Sequence, residues 1–114
     1  MIIEIGEKVH VAYRALYDNS TRRHFLGEVV ACDGAVCRIR GYAFVFDAKA
    51  GTFMRKPETR VTFIDLAESG YVANVVDPGV DITSVSYRYE RGVGLVATDD
   101  KSFILNINEF GTKA

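Results

Sequence analysis

A chain of 114 residues with 48% hydrophobic and 25% charged residues has the size and balance of one folded domain rather than of a disordered segment. Its formal charge of −1 lacks the basic excess of a domain built mainly to grip phosphate, so DNA is not expected as a partner. Two cysteines are too few for a disulfide scaffold, and no apolar run approaches the roughly 20 residues of a membrane helix.

The opening MIIEIG has neither a basic leader nor an unbroken apolar core, because Glu4 divides its isoleucines, and a cytoplasmic protein is expected. Strand-like segments rich in Val, Ile, Tyr and Phe follow at Lys8–Ala15, His24–Cys32, Ala35–Phe46, Arg60–Leu66, Tyr71–Val76, Val85–Tyr89, Gly92–Thr98 and Phe103–Ile107. Turn formers separate them, among them Asp33-Gly34, Ala50-Gly51, Asp77-Pro78-Gly79, Arg91-Gly92 and Asp99-Asp100. Helical periodicity is not sustained anywhere, which leaves room only for short helical turns near Asn19–His24 and Pro78–Thr83. GEKVHV followed by HFLGEVV resembles the cadence of a small SH3-like barrel. With no repeat or linker-like tract, residues 1–114 read as a single all-β domain: about eight antiparallel strands in a small barrel or a two-layer sandwich.

Charge is distributed unevenly along the chain. Arg22 to Arg60 holds eight Lys or Arg against four acids, whereas Val61 to Ala114 holds four against eight. Such halves fit surfaces that attract each other, or a second copy, at least as well as they fit nucleic acid.

The stretch RGYAFVFD, residues 40 to 47, resembles the octapeptide signature of the RNA-recognition motif at seven of its eight positions; Asp47 stands where that signature has an aromatic residue. The resemblance implies single-stranded RNA bound by aromatic stacking and by arginine contacts to phosphate. The motif's two helices have no counterpart here, since only Tyr17 to His24 precedes the second strand and Gly51 and Pro57 interrupt the stretch after Asp47.

A two-residue turn at Asp33-Gly34 would make cross-strand partners sum to 67 and gather Arg23, Phe25, Arg38, Arg40, Tyr42, Phe44 and Phe46 on one face. That face is expected either to bind RNA or a protein partner, or to be a second core face covered by the C-terminal half or another subunit. In the same register Cys32 and Cys37 lie diagonally, roughly 7–8 Å apart, and are expected to stay thiols.

His24 with Arg14, Arg22 and Arg23 is read as a basic strand edge before an anion pocket. No metal, cofactor or catalytic triad is expected, because His10 and His24 sit inside strand patterns and no serine lies in a nucleophile motif. The expected function is a non-catalytic β module acting by self-association or by binding a protein partner. The alternatives are RNA binding through Arg38, Arg40, Tyr42 and Phe44, and an enzyme whose His10 or His24 meets a carboxylate in a cleft.

Overall fold

The computed structural model describes residues 2–13, 22–68 and 70–107. Among these, nine strands run in chain order: β1 (Lys8–Tyr13), β2 (Arg23–Asp33), β3 (Val36–Asp47), β4 (Thr52–Arg55), β5 (Arg60–Asp65), β6 (Tyr71–Val76), β7 (Ser86–Glu90), β8 (Gly94–Thr98) and β9 (Ile104–Asn106). A 3-10 turn, Ile82–Ser84, is capped by the Asp81 carboxylate, which accepts from the Thr83 backbone amide. No helix of the described residues is long and apolar enough to cross a membrane.

The all-β expectation holds. The strands form two antiparallel sheets that do not close into a barrel: six strands in the order β4-β3-β2-β1-β6, with β5 also on β3, and three in the order β7-β8-β9. β3 binds β2 along one edge and offers its other edge to two strands, with Phe44–Asp47 taking β4 and Val36–Gly41 taking β5. The link Asp77–Val85 then carries the chain from β6 across to the second sheet. Lys8 fastens it by donating from Nζ to the carbonyls of Pro78 and Val80, at 2.7 and 2.6 Å.

The expected register of the β2–β3 hairpin is corrected on two counts. Gly34 and Ala35, not Asp33 and Gly34, occupy the centre of the turn; Gly34 has φ +61°, as the first central position of a type II′ turn requires. A bulge between Val29 and Ala31 then shifts the pairing, so that Phe25 faces Ala43, Leu26 faces Tyr42 and His24 faces Phe44. Because side chains alternate with a period of two, this slip sends Arg23 and Phe25 to the face opposite Arg38, Arg40, Tyr42, Phe44 and Phe46.

Each face of the large sheet has its own core. On one, Leu26, Phe44, Phe53 and Val76 meet Tyr87, Leu95 and Ala97 of the small sheet and Ile107 just beyond it. On the other, Val9, Val11, Phe25, Val29, Ile39, Ala43 and Ile64 pack on one another, which requires the sheet to curl around them. The near-continuous apolar run YAFVF is thus explained by burial on both sides.

Gly27 and Gly41 are paired where the hairpin is tightest. A Cβ on Gly41 would run into the Leu26 carbonyl oxygen and come within 2.5 Å of the Gly27 Cα. These two positions stay bare because a strand backbone occupies the space a side chain would need.

Candidate functional site

The face expected to carry function is divided by the small sheet. Phe44 is 1% exposed within the first core. Tyr42 and Phe46 are half-buried, and each carries a guanidinium over its ring: Arg55 at 4.6 Å from the Tyr42 centroid and Arg22 at 4.1 Å from that of Phe46. The three rings of the octapeptide face are therefore occupied by the C-terminal half of the chain and by arginines.

Beyond the small sheet the same face is open. There Arg38 and Arg40 of β3 are exposed and pair with Phe63 and Val61 of β5, which are 67% and 55% exposed. The Arg38 guanidinium lies 5.1 Å from the Phe63 centroid. Glu28 of β2 faces Arg40, and Asp33 and Asp65 face Val36, two positions from Arg38, so carboxylates neighbour the arginines on this face without an ion pair to either among the described residues. β5 pairs only with β3 among the described strands, and its outer edge offers unpaired backbone donors and acceptors.

Arg23 and Phe25 belong instead to a cleft of about 290 Å³ on the curled side. Val11, Phe25, Ala43 and Ile64 line it with buried apolar groups, while Tyr13, Arg23, Arg60, Thr62 and Tyr71 contribute the polar ones. Tyr13 and Tyr71 are cross-strand partners with ring centroids 5.2 Å apart. Gly70 lets the Tyr13 ring settle, since a Cβ there would lie 2.8 Å from Tyr13 Cε1.

His10 and His24 point into the first core from β1 and β2 and meet a tyrosine hydroxyl. His10 Nε2 and His24 Nδ1 each lie 2.6 Å from the Tyr87 oxygen. The hydroxyl has one proton, so it donates to one imidazole and accepts the N–H of the other. Burial pushes the His10 pKa down to about 4; burial, then the nearby charges of His10 and Arg22, push that of His24 to about 3. Burial also raises the Tyr87 hydroxyl well above the usual phenol range, so at neutral pH all three groups are uncharged. This unit pins the two sheets together and is enclosed by Phe44 and Phe53, each ring 5.0 Å from Tyr87.

The cysteine geometry is also corrected. With the turn moved by one residue, Cys32 and Cys37 are directly opposed, their sulfurs 3.3 Å apart, and both are free thiols. Burial first, then Cys32 itself, pushes the Cys37 thiol up to about 11. A thiol reagent such as DTNB at pH 8 is expected to modify no more than Cys32 in the native protein, and both cysteines once urea unfolds it. Prompt native labelling of two thiols would contradict this placement.

Arg14 lies outside the described residues. The cleft residues Tyr13, Arg60, Thr62 and Tyr71 and the Tyr87 pin carry no signal in the local sequence, because each is brought to its place by a strand distant along the chain. No family model, curated protein or solved structure matches the chain.

Proposed function

We propose that the protein is a non-catalytic assembly module that pairs with a second copy of itself through the outer edge of β5 and the open face beside it. The observation that carries this reading is the exposure of Val61 and Phe63 on a strand whose outer edge is unpaired among the described strands. An isolated exposed apolar residue is ordinary, but two on an open edge form a template for strand addition.

An antiparallel β5 pair with its twofold axis at Thr62 sets Phe63 opposite the partner's Val61, and the reciprocal pair follows by symmetry. Side chains on the shared face then bury an apolar ladder of four residues. The alternation of Arg38 and Arg40 with Glu28, Asp33 and Asp65 supports self-pairing, since a twofold copy can place opposite signs together. A near-neutral chain also has little overall repulsion to overcome. The proposed setting is the cytoplasm, whose reducing conditions keep Cys32 and Cys37 as thiols.

RNA binding through Arg38, Arg40, Tyr42 and Phe44 draws less support. Phe44 could meet a base only if the sheets separated, and Glu28 stands directly opposite Arg40 on the open part of the face.

Sedimentation of the intact chain is expected to give twice the 12.6 kDa chain mass. A double variant, Val61→Lys with Phe63→Lys, is expected to stay folded and sediment as one chain. An intact protein that sediments as one chain at every accessible concentration would defeat the proposal, as would a double variant that remains dimeric.

A further inference from the structure

We infer that the cleft on the curled side of the large sheet is a second, separate site, which binds a small organic anion. Its acid group would sit between the guanidiniums of Arg23 and Arg60, and its flat apolar body against Phe25 and the tyrosine pair Tyr13 and Tyr71.

Three observations lead to this ligand class. First, the cleft gathers residues from β1, β2, β3, β5 and β6, so curvature of the whole sheet builds it and no single loop does. Second, the cations are uncompensated among the described residues. The ion pairs found there join Arg88 to Glu90 and Asp100, while Arg23 and Arg60 are in none, and no carboxylate of the described residues lines the cleft. Two guanidiniums present forked donors that match the oxygens of a carboxylate or phosphate.

Third, the remaining lining is apolar and aromatic apart from His24 and Thr62, whose hydroxyl adds a donor and acceptor. A volume of about 290 Å³ is at the small end of ligand sites, suited to one ring with an acid group and too small for a dinucleotide. An inorganic anion alone would leave the aromatic wall unused, and a neutral ring would leave two guanidiniums unpaired. Together these features select an aromatic or similarly flat body bearing one acid group.

The site differs from the self-pairing edge in the side chains it uses. Arg60, Thr62 and Ile64 of β5 turn to the curled side, whereas Val61 and Phe63 alternate to the open face, and of these two only Phe63 also borders the cleft.

The test is a titration of the full chain with phenyl phosphate and with benzoate, followed by backbone amide NMR, with inorganic phosphate and benzyl alcohol as the head and the body alone. Saturable binding of at least one of the first pair is expected, with shifts centred on residues 11–13, 23–25, 60–64 and 70–71. The tighter of the two identifies the acid as phosphate or carboxylate.

Each isolated half is expected to bind at least tenfold more weakly. Arg23→Gln and Arg60→Gln, singly and together, are expected to keep the native amide spectrum, because both arginines are exposed. The double variant should lose at least tenfold in affinity. Unchanged amide shifts with both organic anions would overturn the inference, as would equal binding by a folded double variant or shifts located away from the cleft. Measuring the mass of the double variant separates this outcome from that of the β5 pairing.

Discussion

Lowering the pH from 6.5 to 4.5 is expected to remove a large part of the protein's stability, above the pH at which an ordinary carboxylate is half protonated. The cause is the pair His10 and His24, held neutral around the Tyr87 hydroxyl. In the unfolded chain both imidazoles take up protons near the ordinary value of 6.5, but in the fold they resist until about 4 and about 3. Across that window the unfolded state binds more protons, so stability falls as pH falls.

Each histidine contributes up to about 1.4 kcal/mol per pH unit, and two of them over two units give a loss on the order of 5 kcal/mol. A typical domain has only about 5–15 kcal/mol to lose. Protonation also breaks the hydrogen-bond chain: two imidazolium groups would both donate to the Tyr87 oxygen and leave its hydroxyl proton without an acceptor. Above about pH 7.5 both states are neutral at these positions and the contribution is flat. Asp81, held below the usual carboxylate range by the Thr83 side chain and then by its backbone amide, acts only at lower pH. Urea denaturation at pH 7, 5.5 and 4.5 measures the effect; equal unfolding free energies at all three would show that these imidazoles are not held neutral.

Gly41→Ala is expected to cost about 3 kcal/mol or more, at the upper end for overpacking. The added methyl meets backbone on two sides, the Leu26 carbonyl and the Gly27 Cα, and neither can rotate away as a side chain would. Relief would require β2 and β3 to part at the point where the hairpin separates the two cores. The melting temperature is expected to fall by about 10–20 °C.

Gly34→Asn provides the contrast. A Cβ there would have nothing within 4 Å, so the cost comes from the positive φ of +61° alone, and a loss of about 1–2 kcal/mol, smaller than at Gly41, is expected. Thermal melts of the two variants side by side would discriminate close approach from turn conformation. A Gly41→Ala protein as stable as the parent would mean that the strands are not packed this closely.

Eight strands are legible in the sequence because each combines β-branched or aromatic residues with a turn former at its end. β4 is not: TFMR is four residues long, lies between Gly51 and Pro57, and reveals itself only by burying Phe53. The hairpin register read from the turn is wrong because the turn centres one residue later, on Gly34 and Ala35, and because the bulge at Val30 has no mark in the sequence; on a two-sided sheet one residue decides which core a ring enters. Arg23 and Phe25 stand out in the sequence, but with the wrong neighbours. Their actual companions, Arg60, Thr62 and Tyr71, reach the cleft from β5 and β6, a juxtaposition that only tertiary folding creates.

The Tyr87 pin has a consequence for the order of assembly. Its two contacts close loops of 77 and 63 residues, whereas β2 and β3 are joined by a two-residue turn. The entropy of closing such long loops makes the pin a late event and the hairpin an early one. Acid therefore acts on the native side of the folding barrier: it hastens the escape of the small sheet from the large one while leaving the nucleating hairpin free to form.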